Sequence, residues 1–539
     1  MKQKDNEDFN FFIADSQIKR RKFANLQSLY YYIMKYKILL FGFLFTANTF
    51  AQITSAQIDE VVERTLKTFD VPGIAVAVVK DGKVIHSKGY GVKSITTKEK
   101  VNENTLFGIA SNSKAFTSAS LAILIDEGKI KWDDKVIKYL PEFKMYNDYV
   151  TNEFTIRDLL THRSGLGLGA GDLMIWPDGS DFKANDIIQN IQYLKPVSGF
   201  RTKYDYDNLL YIIAGEVIHK VSGQTWNEFV ETRIFKPLEM KNTGSTWNRL
   251  KDTSNVIIPH VPIDGKLKEI VRYKNQTFDA AAGIYSSVND MTKWAIMQLN
   301  KGKFGNQKLF SEKEHAEMWT PQTLMPNKTI APYNSLFKSY GLGWQITDIK
   351  GKLQVSHTGG LEGIVTQVTL IPELNLGIIV FTNQQSGAAF SAITNTIKDS
   401  YLGISPIDHV AEFSKKTKAS EEKADKVTEE VWATVAINKK QKIDFKKYIG
   451  TYKDNWLGEV IISEKKGKLY FASKRSPQLS GEIFFHKDNN FVVKWNNRYF
   501  NADAHIFFEK NNSEFKMEPI SPATDFSYDF QDLHFIKVR

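Results

Sequence analysis

The chain reads as an α+β protein: one antiparallel sheet flanked by helices, with a helical lobe inserted between its strands, followed by a small C-terminal β-barrel or sandwich domain. Three observations predict this. Apolar strand-like runs near residue 75 and again from residue 353 to 381 bracket a long stretch of helical patterns. A segment rich in Lys, Glu and Ala at 413–435 then interrupts the apolar patterning. Beyond it, short runs of strand-forming residues recur with turns between them.

Residues 58–66 carry helical spacing. Residues 73–79 and 84–87 are strands, and Asp81-Gly82 between them is a strong hairpin signal. From about 115 to 335 the chain reads as helices and loops. Strands return at 353–356, 365–371 and 377–381, the last two joined by Pro372-Glu373-Leu374-Asn375, and a helix closes this part near 388–401. A sheet built from both ends of this region puts the site at the cleft between lobe and sheet, where ligand sites commonly form. Four strands, 458–462, 468–472, 491–495 and 505–508, outline the last domain. The expected organisation is a leader at 1–51, a main domain at 52–410, a charged linker with helical character at 411–442, and a β-domain at 443–539.

The sequence has 539 residues, 42% apolar and 13% aromatic, which is globular composition with room for two or three domains. Of the net charge of +10, four units fall in residues 1–51, which hold eight Lys/Arg against four Asp/Glu. The rest is mildly basic with no basic-aromatic patch, so no nucleic-acid partner is expected. Cysteine is absent, which excludes disulfides, a thiolate nucleophile and cysteine metal ligands. The ten histidines are scattered without His-Glu-x-x-His, so no metal and no cofactor is expected.

An export signal is read from Met34-Lys35-Tyr36-Lys37, the apolar run 38–45 and the small Ala51 before Gln52. Residues 1–33 fit no signal peptide, which points to Met34 as the translation start. The apolar run is too short for a confident membrane span. The expected location is periplasmic or extracellular, with no stable membrane span after processing.

Three short motifs carry the chemistry: Ser111-Asn112-Ser113-Lys114, Tyr206-Asp207-Asn208 and His357-Thr358-Gly359. Ser-x-x-Lys recurs in this chain, for instance at Ser335, Ser463 and Ser513, so the tetrad alone says little. Context singles out Ser111. It precedes an apolar run from Ala115 to Ile125, which reads as a buried helix. That puts Ser111 at a helix start, where N–H groups favour negative charge, with Lys114 one turn on. Burial lowers a lysine pKa, and such a lysine can take a serine proton. The plain alternative is an N-cap serine with a snorkelling lysine.

Tyr-x-Asn also recurs, at Tyr273 and Tyr499, but Tyr206 lies between a turn and the apolar run 209–215. Its phenol can pass a proton to a leaving group, and Asn208 can orient the lysine. His-Thr-Gly occurs once, after the strand 353–356, and Gly359-Gly360 admits close backbone approach. Backbone N–H groups of Gly360 and Ser111 would form an oxyanion hole.

On these motifs, together with Phe107-Gly108-Ile109-Ala110, Thr155-Ile156-Arg157-Asp158-Leu159-Leu160-Thr161-His162-Arg163-Ser164-Gly165-Leu166, Ala281-Ala282-Gly283-Ile284-Tyr285-Ser286 and Tyr340-Gly341-Leu342-Gly343-Trp344, the chain resembles the serine β-lactamase and penicillin-binding superfamily. It is most similar to the class C-like branch, which also holds D-stereospecific peptidases, carboxypeptidases and esterases. The resemblance covers about 58–402, and Ile449-Gly450-Thr451-Tyr452 looks like the start of the β-domain often appended to such hydrolases. It implies Ser111 as nucleophile, Lys114 as general base and Tyr206 as the acid for the leaving atom. Asn208, His357, Thr358, Gly359 and Gly360 would hold the substrate and the oxyanion.

One position departs from the lactamase pattern: His357 stands where lysine usually opens the third motif. Histidine, with an ordinary pKa of about 6.5, is mostly neutral at pH 7 and makes a poorer partner for a substrate carboxylate. The expectation is therefore an exported serine hydrolase acting on amide or ester substrates: cell-wall peptides with D-amino acids, short esters or β-lactams. The alternative is a non-catalytic sensor or cell-wall binding protein that keeps the fold. His162 and Arg163 read as loop-holding residues, Trp344 as core or cleft wall, and Asp207 as a surface turn residue.

Overall fold

A computed structural model describes residues 52–539 and scattered positions between Arg20 and Lys35. The apolar run at 38–45 and the cleavage position at Ala51 of the expected export signal lie outside the described residues. Among the described residues no helix is long and apolar enough to cross a membrane.

The first helix, α1 (Ser55–Thr68), opens with a capping box between Thr54 and Gln57 and buries Ile58, Val62 and Thr65. It leads into β1 (Gly73–Lys80) and β2 (Lys83–Gly91). The hairpin turn places both Asp81 (φ 51°) and Gly82 (φ 73°) in the left-handed region that a two-residue turn of this twist requires. The lobe contributes α2 (Ser113–Asp126), α3 (Leu209–Ser222) and α4 (Val288–Leu299). The chain then returns through β3 (Thr323–Leu324), β4 (Lys338–Tyr340), β5 (Gln345–Ile349), β6 (Lys352–Leu361), β7 (Ile364–Ile371) and β8 (Leu376–Thr382), and ends the sheet region with α5 (Gly387–Tyr401).

These strands form one eight-stranded sheet in the order β2-β1-β8-β7-β6-β5-β4-β3. The central pairing joins the two ends of the region, with Ile74 opposite Thr382 and Lys80 opposite Leu376. Alternation along β1 splits it between two cores. Ile74, Val76 and Val78 pack with α1 and α5 on one face. Ala75, Ala77 and Val79 face the lobe. Both faces are covered, which is why β1 reads as an unbroken apolar run.

Two details differ from expectation. β6 runs through to Leu361 rather than ending at Ser356, so His357-Thr358-Gly359 lies within a strand. The stretch 115–335, expected as helices and loops, also contains the hairpin His260–Ile263 with Lys266–Glu269 and the edge strand β3.

The charged segment is a single helix, α6 (His409–Asn438), whose C-terminal Trp432 and Val435 pack on Phe484 and Val492 of the last domain. That domain is a closed barrel. Its strands, in order around the barrel, are β9 (Gly450–Asp454), β10 (Gly458–Lys465), β11 (Lys468–Ser473), β12 (Ser480–Lys487), β13 (Asn490–Trp495), β14 (Ala504–Glu509), β15 (Glu514–Pro519) and β16 (Phe535–Lys537). Tyr452 opposite Lys537 closes the ring, which removes free sheet edges. Aromatic side chains fill it, Phe515 and Phe535 stacking at 4.6 Å. Between β15 and β16 residues 520–534 reach the lobe, where Ser527 and Asp529 bond to residues 171–173.

Candidate active site

Ser111 sits in a short 3-10 turn, Ala110–Asn112, just ahead of α2. Ala110 is held at φ 51°, a costly conformation for a residue with a Cβ and of the kind that concentrates at functional turns. The turn is fastened to the sheet. Thr366 of β7 donates to the Ile109 carbonyl at 2.9 Å, and Asn112 Nδ2 donates to Thr366 Oγ1 at 2.9 Å. Gly359 of β6 lies against the same turn, where a Cβ would fall 2.3 Å from the Ile109 oxygen. Of the two glycines, Gly359 is the one that sterics demand; a Cβ on Gly360 would meet nothing within 4 Å.

Lys114 is fully buried in the first turn of α2. Its Nζ has three partners: Ser111 Oγ at 3.0 Å, Asn208 Oδ1 at 2.7 Å and the Ala281 carbonyl at 3.2 Å. The last two can only accept. A neutral amine has two N–H bonds and one lone pair, so Asn208 and Ala281 take the hydrogens and the lone pair is left for the serine hydroxyl. Burial favours that neutral form and brings Lys114 down to about 7, with Asp172 and Asp207 pulling the other way.

Asn208 is held in turn, its Nδ2 donating to Asp172 Oδ2 at 2.7 Å. Tyr206 stands half-buried beside Lys114, whose Nζ lies 4.8 Å from the ring centroid. Burial pushes its phenol well above the usual range, so it keeps its proton. His162 packs against the Tyr206 ring at 4.3 Å and accepts the Asp207 N–H on Nδ1 at 3.0 Å. It ties its own loop to the Tyr206 loop, a partner its surroundings in sequence did not suggest, and Arg163 pairs with Asp158 at 2.9 Å. Trp344 is core. Asp207 is not a surface turn residue: it is completely buried, accepts the Leu209 N–H at 2.9 Å, and burial raises its carboxyl to about 7.

His357 is also buried. Its Nδ1 contacts the Thr358 carbonyl at 2.6 Å and its Nε2 the Tyr340 hydroxyl at 2.8 Å. A carbonyl only accepts, so Nδ1 carries the proton and Nε2 accepts from Tyr340. Burial and the nearby Lys114 bring the ring down to about 3, so it meets a ligand as a neutral group.

A cavity of about 410 Å³ opens on Ser111. Tyr206, Asn208, His357, Thr358 and Gly360 line it from the catalytic half, bringing all three motifs to one space, while Gly359 is buried behind it against the Ser111 turn. Leu168, Ile175, Trp176 and Phe278 make an apolar wall. Asp525, Phe526 and Ser527 complete it from the barrel, Phe526 standing 5.7 Å edge-on to the Tyr206 ring. A larger cavity of about 770 Å³ lies beside it between lobe and barrel and contains none of the motif residues. Chain neighbours line the two spaces, Trp176 and Leu361 one, Pro177 and Glu362 the other. No cluster among the described residues is arranged to hold a metal ion.

Sequence reasoning missed Asp172, the Ala281 carbonyl and the barrel residues. Asp172 had a signal: a lone carboxylate ahead of Leu173-Met174-Ile175-Trp176, where a buried charge needs partners. The barrel residues had none.

A family profile described as Beta-lactamase matches residues 58–402, and one described as a domain of unknown function, DUF3471, matches 437–537. The unguisins hydrolase ungD' of Aspergillus campestris is 29% identical over 361 residues, covering 64% of this chain and 65% of that protein. Protein flp of Staphylococcus aureus is 28% identical over 337 residues, covering 61% of this chain and 63% of its own length. The chain thus spans less than two thirds of these relatives. The octameric penicillin-binding protein homologue from Pyrococcus abyssi superposes with a TM-score of 0.59 at 20% identity, covering 90% of this chain and all of that one.

Proposed function

This chain belongs to the Beta-lactamase family, and from that premise and the site geometry we propose that it is an exported serine hydrolase working through an acyl-enzyme on neutral amides or esters. The carrying observation is the Lys114 amine, whose two N–H bonds are taken by Asn208 and Ala281 and whose lone pair faces Ser111. Ser111 Oγ attacks the carbonyl carbon and its proton passes to Lys114 Nζ. The oxyanion develops beside the backbone of Ser111 and Gly360. Tyr206 delivers its phenol proton to the leaving atom and takes the serine-derived proton back from Lys114, which is thereby neutral again; water then attacks the ester carbonyl, and its proton passes to Ser111 Oγ as the acid is released.

Neutral His357 offers no cation for a substrate carboxylate. This favours peptides or esters without a carboxylate beside the scissile bond and disfavours β-lactams. D-amino-acid peptides of the cell wall enter with their carboxylate end remote or blocked. The neighbouring 770 Å³ cavity gives room for a longer leaving or acyl chain. Export rests on the basic start at Met34 and the apolar run after it.

Turnover of a short p-nitrophenyl ester and of a chromogenic cephalosporin, by wild type and Ser111→Ala, tests the reading. The expected outcome is ester hydrolysis by wild type, little or none of the cephalosporin, and a loss of at least roughly a thousandfold in Ser111→Ala. Ester turnover retained in Ser111→Ala contradicts it.

A further inference from the structure

The barrel loop 520–534 does more than cover the cavity. It grips one residue of the lobe from three sides. Asp529 Oδ2 accepts the Gly171 N–H at 2.6 Å and its Oδ1 accepts the Leu173 N–H at 3.0 Å, so its carboxylate straddles the backbone of Asp172. Ser527 Oγ donates to Asp172 Oδ2 at 2.9 Å. Gly169 (φ 71°) lets the loop in: a Cβ there would lie 2.5 Å from the Phe526 carbonyl oxygen.

Asp172 is fully buried and none of its partners is a catalytic backbone group. Its Oδ2 receives Ser527 and Asn208, and its Oδ1 has no protein partner. Asn208 Oδ1 holds one N–H of Lys114, and Lys114 lies on Ser111. An unbroken chain of hydrogen bonds therefore runs from the barrel to the nucleophile: Ser527, Asp172, Asn208, Lys114, Ser111.

We propose that Ser527 and Asp529 of the barrel, with Asp172 of the lobe, are positioning residues of the hydrolase site: they fix the Asn208 amide that orients Lys114 on Ser111, so the site is complete only with the barrel seated. This rests on the serine-hydrolase reading above and adds a role for the second domain. None of the three touches the reacting atoms.

Charge follows the same chain. Lys114 faces Asp172 and Asp207, which favour its ammonium, and it in turn helps burial keep His162 and His357 neutral. Asp172 in turn faces Lys114, Asp207, Asp529 and the phenols of Tyr206 and Tyr273. Burial raises the Asp172 carboxyl, and its two donors hold it back. Removing the Ser527 hydroxyl takes away one donor, protonates Asp172 over a wider pH range and withdraws negative charge from Lys114. Lys114 then becomes neutral at lower pH.

The test uses the full chain and a fluorescent alkyl fluorophosphonate, with labelling rates measured across pH and thermal melting recorded alongside. Ser527→Ala should label roughly ten- to a hundredfold more slowly, as expected for loss of a hydrogen bond to a charged group in a positioning chain. The acid limb of its profile should move to lower pH, and Ser527→Thr should restore both. An unchanged rate and limb in Ser527→Ala overturns the proposal. So does a slower rate with an unmoved limb and a lowered Tm, which is a stability effect alone. Failure of wild type to label is a different result: it removes the serine-hydrolase reading and the proposal with it.

Discussion

Asp454 in the barrel and Asp172 in the lobe are both buried carboxylates, and the chain surrounds them in opposite ways. Asp454 Oδ1 accepts the N–H groups of Trp456 and Leu457 at 2.8 and 2.9 Å, and its Oδ2 accepts that of His534 at 3.0 Å. Both oxygens are spent on backbone donors, and the residue latches the first turn of the barrel to the approach of its last strand. Asp172 has side-chain donors on one oxygen and none on the other, and Asp207 also keeps an oxygen without a protein partner. Burial raises all three carboxyls. The barrel thus uses its buried charge as a fastener. The catalytic half instead ties its buried carboxylate to side chains, Asp172 holding Asn208 and Asn208 holding Lys114.

Substitutions break this comparison cleanly. Lys114→Met carries the largest effect: labelling by a fluorophosphonate should fall by at least roughly a thousandfold, since the base is gone. Circular-dichroism melting of the same variant should change little. Asp454→Ala should behave in the reverse sense. Three backbone N–H groups lose their acceptor, at a cost of about 3–5 kcal/mol, so Tm should fall by several degrees while the folded protein labels as wild type does. If Asp454→Ala abolished labelling below its Tm and left Tm alone, the division between fastener and machinery would be lost.

Much of the sheet was legible because its signals are local. Asp81-Gly82 specifies a turn that any hairpin of this twist needs, and the run from Ile74 to Val79 can only be buried. The three motifs were legible for the same reason, each being a few residues long. The end of β6 was not: His-Thr-Gly-Gly has weak strand propensity, and pairing with Val365 to Val368 of β7 carries the strand through it. Asp207 looked like a solvated turn residue because nothing near it in sequence shows that it is buried and that its N–H is taken by His162, 45 positions away. Ser527 and Asp172 are 355 positions apart, and no pattern in either neighbourhood announces the other. Closed-barrel topology, against a sandwich, likewise depends on one pairing between first and last strands.

The central claim is that a buried lysine, neutral near physiological pH, activates Ser111. The most direct measurement is the rate of fluorophosphonate labelling of wild type as a function of pH. Only the free amine accepts the serine proton, so the rate should rise with pH through Lys114's value of about 7 and level off above it. A limb near the ordinary lysine value of about 10.4, or a flat profile from roughly pH 5 to 9, would contradict the account.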